Sequence, residues 1–108
     1  MARIYIAHKY QGDKKNIENV GKIAKKLQIE HPENSYFSPL HNFSFLDYDD
    51  ISYEQMIEIC IDWLSECDCL IVASEISKGV QLEIDFARLV NMEVLRLEKD
   101  GALQPFTE

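Results

Sequence analysis

The sequence predicts an α/β protein: a small doubly wound parallel sheet of four to five strands with helices on both faces. Two patterns carry this reading. Short β-branched and apolar runs alternate along the chain with longer segments whose apolar residues recur at helical spacing. Strands separated by helices pair in parallel, and right-handed crossovers then lay the helices over the sheet. The length, 108 residues, is that of one domain spanning residues 1–108, and it allows a real core.

The elements follow in order. Arg3-Ile4-Tyr5-Ile6-Ala7 is a β-branched and aromatic run, the first strand. Asp13 is an N-cap by type and opens a helix over about Lys14–Glu30, where Ile17, Val20, Ala24 and Leu27 mark one face. Pro32 stops that helix. Ser35–Ser38 is a second, weaker strand. Pro39–Asp50, "PLHNFSFLDYDD", has no period, and an irregular loop of that length is commonly a binding loop or lid. Its acidic end, Asp47–Asp50, is too short for a dedicated Ca²⁺ or Mg²⁺ site and reads as the cap of the next helix, Ser52–Glu66. The strand Cys69–Ala73, a helix over Gly79–Val90 and the strand Glu93–Leu97 complete the pattern, and Lys99–Glu108 is a tail. Four strands suffice, in the order 2-1-3-4. Ligands in such sheets bind beyond the carboxyl ends of the strands, where His8–Asp13, Pro39–Asp50 and Ser74–Gly79 fall.

Charge and composition exclude several classes. A net charge of −8 argues against a nucleic acid polymer or an anionic membrane as partner. The lysines at positions 14, 15, 22, 25 and 26 read as a solvated helix face. No apolar run approaches the ~18 residues of a membrane span, and the chain opens directly into a strand, so a cytoplasmic protein is expected. Three cysteines, Cys60, Cys67 and Cys69, make no disulfide framework, and the Cys-x-Cys lacks zinc spacing, so no metal is expected. The first loop holds one glycine and so neither a dinucleotide fingerprint nor a phosphate loop; no cofactor is implied.

One residue departs from the binary pattern. On the wheel of the third helix Gln81, Asp85 and Arg88 form a polar arc, while Glu83 falls near the centre of the apolar one. An unpaired buried carboxylate costs several kcal/mol or takes up a proton. Either Glu83 accepts backbone amides or pairs with a cation, or it points into a ligand cavity as a nucleophile or base. Gly79 in the preceding turn allows close backbone approach, and helix-start amides favour an anion. Ser77 is an N-cap by type. His8, Tyr10 and His41 lie in loops at the ligand edge. Tyr5 reads as core, on the strand face shared with Arg3 and Ala7.

These residues resemble the nucleoside 2-deoxyribosyltransferase-like superfamily. "SKGVQLEIDFA" (Ser77–Ala87) fits its Ser-x-Gly-x-x-x-Glu-x-x-x-Ala pattern. "WLSECDCLIVA" (Trp63–Ala73), "IYIAHKYQGD" (Ile4–Asp13) and "ENSYFSPLHNF" (Glu33–Phe43) are similar to its other strands and loops, most of all in its short bacterial and phage branch. The resemblance implies a Rossmann-like fold and chemistry at the N-glycosidic bond of a nucleoside or nucleoside 5′-monophosphate. Glu83 would attack the anomeric carbon, and water or a second base would take the sugar. Ser77, rather than aspartate, leans towards a phosphorylated ligand. Such proteins pair to close their sites, and an apolar face bearing Tyr53, Met56, Ile57 and Trp63 likewise calls for cover, so a homodimer or higher oligomer is expected.

One position breaks the resemblance. An aspartate is expected eight residues before Asp68, where this chain has Cys60. Asp62 cannot replace it, lying about 160° away around the helix. His8, Tyr5, His41 and Asp47 remain as candidates for its role. An enzyme of this chemistry therefore stands beside two alternatives: a catalytically inactive nucleotide-binding module, and a structural domain in which Glu83 is tied to backbone amides.

Overall fold

The two most apolar strands lie at the centre of the sheet, as burial on both faces demands. The computed structural model describes residues 1–107. Its strands are β1 (Arg3–Ala7), β2 (Ser35–Phe37), β3 (Cys69–Val72), β4 (Glu93–Leu97) and β5 (Leu103–Pro105). Its helices are α1 (Lys14–Glu30), α2 (Pro39–Asn42), α3 (Tyr53–Leu64) and α4 (Lys78–Leu89). The sheet order is β2-β1-β3-β4-β5. Strands β1 to β4 run parallel, with Tyr5 beside Leu70 and Ala7 beside Val72 at the centre.

Strand alternation divides the core in two. Tyr5, Ala7, Leu70 and Val72 pack with Cys60 and Leu64 of α3 and with Val80, Ile84 and Ala87 of α4. Ile4, Ile6, Cys69 and Ile71 pack on the other face with Val20 and Leu27 of α1. The helix ends follow local chemistry. The Asp13 carboxylate accepts the Lys15 amide at 2.9 Å, and Ser77 accepts the Val80 amide at 3.3 Å.

Three local features differ from expectation. The acidic run does not cap α3; Ser52 does, in a capping box with Gln55, while Asp50 accepts the Asp47 amide at 2.8 Å and closes a turn. Inside the irregular loop Pro39 occupies the first turn of the short helix α2, where its missing N–H costs nothing. The tail supplies β5, antiparallel to β4, after a turn at Gly101 with φ +90°. Three residues ending in proline carry no alternation to read, and proline is tolerated there because β5 lies at the sheet edge.

Ser52→Ala removes the side-chain half of the α3 cap. The expected loss is about 1 kcal/mol, seen as a fall in Tm of roughly 4–8 °C in a thermal melt.

Candidate active site

Helix α4 buries Val80, Glu83, Ile84 and Ala87 against the sheet, the three–four spacing of one face. Glu83, only 6% exposed, therefore lies in the stripe that packs on β1 and β3. Tyr5 projects from the middle of β1 towards the same layer and is fully buried. Its hydroxyl donates a hydrogen bond to Glu83 Oε2. The partner of Glu83 is thus a phenol rather than a backbone amide or a cation.

The electrostatics follow from this burial. Desolvation pushes the Glu83 carboxyl up to about 7, and the Tyr5 hydrogen bond, which favours the anion, opposes the shift in part. Burial and then the charge of Glu83 push Tyr5 well above the usual phenol range. Cys60 of α3 completes the cluster: burial and then Glu83 push its thiol up to about 12, so it stays protonated. Tyr5 and Cys60 therefore remain neutral while Glu83 is poised between its two states near neutrality.

Glu83 and Cys60 of this cluster line the inner wall of a cavity of about 870 Å³, with Tyr5 buried behind them. The other walls come from the loop after β1 (His8, Tyr10), from α2 and the segment up to Ser52, and from α3 and the start of α4. Gly79 lets the start of α4 approach α3, since a Cβ there would stand 3.2 Å from the Tyr53 hydroxyl and 3.5 Å from Ile57. Ser77 lines the cavity while capping α4. Tyr10 meets the Tyr48 ring edge-on, with centroids 5.8 Å apart. His8 is buried with both nitrogens engaged: Nδ1 lies 2.8 Å from the Lys9 carbonyl and Nε2 lies 2.8 Å from the Asn19 side-chain amide. The carbonyl can only accept, so Nδ1 carries the proton. Burial also pulls the imidazole below its ordinary value and keeps it neutral.

The structure brings Glu83, Ser77, Gly79, His8 and Tyr10 to one cavity, together with Cys60 and Asp47. His41 takes another direction. Its Nδ1 lies 3.1 Å from the Ser38 hydroxyl, and its ring faces α1 closely enough that a Cβ on Gly21 would come within 2.9 Å of Nε2. Asp62 is exposed, and Cys60, two residues before it, faces inward. The residue that sequence reasoning undervalued is Tyr5. A tyrosine in a buried central strand needs a partner for its hydroxyl, as a glutamate in an apolar stripe needs a donor, and the two together were the available signal. Among the described residues no grouping of His, Cys, Asp or Glu has metal-binding geometry, and no helix is long and apolar enough to cross a membrane.

A doubly wound sheet with a buried carboxylate facing a cavity beyond its carboxyl edge defines a Rossmann-like α/β protein with a cavity at the topological switch point, where such folds place their ligand sites. Residues 2–97 match the family described as a domain of unknown function, DUF7768, and the chain belongs to it. No curated protein matches the sequence. Among solved structures, a conserved protein from Enterococcus faecalis V583 is similar over 93% of this chain at 19% identity, with a TM-score of 0.75. The chain spans 65% of that protein's length. A 2-desoxiribosyltransferase from Leishmania mexicana is similar at 18% identity and TM-score 0.66, over 98% of this chain and 80% of its own. A 2-deoxyribosyltransferase from Bacillus psychrosaccharolyticus is similar at 18% identity and TM-score 0.61, over 88% of this chain and 71% of its own. At these identities the likeness is one of fold: the chain shares the Rossmann-like architecture of the 2-deoxyribosyltransferases.

The raised Glu83 carboxyl makes a signed prediction about stability. Its folded value, about 7, lies above the ordinary 4.5, so the fold favours the protonated form. That contribution is complete below pH 4.5 and is lost as pH rises towards 7. Glu83→Gln is neutral at every pH and lacks this slope. In urea unfolding the variant is expected to match the wild type at about pH 4 and to exceed it at about pH 8 by up to about 3 kcal/mol. The lowered imidazole of His8 contributes with the opposite sign in both proteins and cancels in the comparison. A difference independent of pH would contradict the assignment.

Proposed function

We propose that this protein cleaves or transfers the N-glycosidic bond of a nucleoside or nucleoside 5′-monophosphate, with Glu83 as the nucleophile. The observation that carries the reading is Glu83, held by the buried Tyr5 hydroxyl, on the inner wall of a cavity of ligand size. An oxocarbenium-like transition state needs a carboxylate near the anomeric carbon. Tyr5 holds Oε2 and leaves Oε1 for that carbon. The amides at the start of α4, with Ser77, would orient the sugar hydroxyls or a 5′-phosphate, and His8 and Tyr10 would wall the site. The fold shared with two 2-deoxyribosyltransferases supports the reading. His41, turned towards α1, is given no part in it. Self-association over the half-exposed Tyr53 and Trp63 belongs to the same proposal.

One observation favours a second reading. Where the resemblance expects an aspartate, the cavity has the Cys60 thiol, which brings no charge and yields no proton near neutrality. A site so altered could bind a nucleotide without turning it over.

Base release decides between them. The protein is incubated with nucleosides and their 5′-monophosphates, with and without a second free base, beside a Glu83→Ala control. Release that disappears in the control is expected, and a new nucleoside formed only with added base would mark transfer. Absence of release across the panel would favour the binding module.

The pH profile carries a separate expectation. Activity should rise with pH through about 7 as Glu83 ionises. Tyr5→Phe removes the hydrogen bond that favours the anion. It should move this limb to higher pH and lower kcat by about 10–100-fold. An unmoved limb in Tyr5→Phe would separate Tyr5 from the chemistry.

A further inference from the structure

Of the side chains around Glu83 on the inner wall, none offers a free proton to a departing base; the phenols of Tyr10, Tyr48 and Tyr53 and the Lys78 ammonium line the other walls. The Tyr5 hydroxyl is committed to Glu83. The Nδ1 proton of His8 is committed to the Lys9 carbonyl, and Nε2 to Asn19. The Cys60 thiol is a very weak acid in this setting. The carboxylates Asp47, Asp49 and Asp50 line the mouth and are exposed to solvent. An ordinary purine or pyrimidine departs as an anion unless an acid protonates it. A base already quaternised at a ring nitrogen departs neutral and needs no acid.

The charge and shape of the mouth point the same way. Asp47, Asp49 and Asp50 face one lining ammonium, Lys78, which lies 5.6 Å over the Tyr53 ring. Tyr10, Tyr48 and Tyr53 supply aromatic faces on the same walls. A cationic heteroaromatic ring is attracted by the carboxylates and by the ring quadrupoles alike, whereas the same carboxylates disfavour a dianionic phosphate.

Resting on the glycosidic reading of Glu83, we propose that the site takes nucleosides whose base carries a positive charge: pyridinium ribosides, or purine nucleosides alkylated at N7. Glu83 Oε1 bonds to C1′ as the C1′–N bond breaks. The bonding pair passes to the ring nitrogen, which cancels its charge, and the base leaves neutral. Water then attacks C1′, the Glu83 carboxylate departs, and the water's proton passes to solvent. The products are free base, free sugar and one proton.

The test pairs each cationic nucleoside with a neutral counterpart: 7-methylguanosine with guanosine, 7-methylinosine with inosine, and nicotinamide riboside with its uncharged dihydropyridine form. Base release is measured by chromatography and divided by the spontaneous rate of each compound, because charged glycosides hydrolyse faster unaided. Binding to wild type and to Glu83→Gln is measured by calorimetry. The expected result is an enhancement at least 10-fold larger for the cationic member of each pair. It should be lost in Glu83→Gln and reduced in the exposed rim variant Asp47→Asn/Asp49→Asn/Asp50→Asn. Equal enhancement for neutral nucleosides would overturn this inference and leave the glycosidic reading standing. Absence of release, with at least 10-fold tighter binding of cationic members that Glu83→Gln abolishes, would overturn the glycosidic reading and retain the ligand class. Absence of both release and selective binding would overturn both.

Discussion

A carboxylate buried against a parallel sheet needs a donor facing it, because desolvation otherwise costs several kcal/mol. Here the donor is the phenol of Tyr5, from an inner strand of the sheet, β1. Much of the local structure serves this one contact. Strand β1 must be an inner strand for Tyr5 to be buried, α4 must cross the sheet with Glu83 turned inward, and Gly79 leaves room for the Tyr53 hydroxyl where α4 starts beside α3. A phenol suits the task because it can donate to the anion while remaining uncharged. A lysine or arginine would have locked Glu83 in its ionised form. With Tyr5 the carboxyl stays near its balance point close to neutrality.

The rest of the cavity is arranged by the sheet rather than by the pair. The carboxyl ends of β1 and β3 deliver the loops after Ala7 and Val72 to one edge, and the long segment between α2 and α3 closes over them. The inner half is buried and nearly uncharged apart from Glu83; the mouth is acidic and aromatic. That division sets a shielded carboxylate apart from a solvent-facing rim of opposite character. His8 stands between them as a wall, since its two ring nitrogens already serve Lys9 and Asn19 and thereby hold the β1 loop against α1.

Much of this architecture was legible in the chain. Periodicity located α1, α3, α4 and the four parallel strands, because helices and strands here are amphipathic or fully buried in regular ways. Asp13 and Ser77 announced two helix starts by residue type. The acidic run before α3 misled, since any of its members could cap a helix and only the chain path selects Ser52. Strand β5 was invisible because three edge residues ending in proline hold no pattern.

Glu83 itself was singled out by sequence, as a charge in an apolar stripe, and its inward orientation followed from helical geometry alone. The sequence also determined that Cys60 and not Asp62 would face the same layer, because 100° per residue leaves no other choice. What only tertiary structure decided was the partner. Tyr5 and Glu83 are separated by 78 positions, and no local rule connects a strand residue with a helix residue at that distance. The same holds for His8, whose second nitrogen meets a helix side chain, and for His41, whose loop turns it onto α1. Periodicity reports which face of an element is buried; what that face meets is set by how the elements pack.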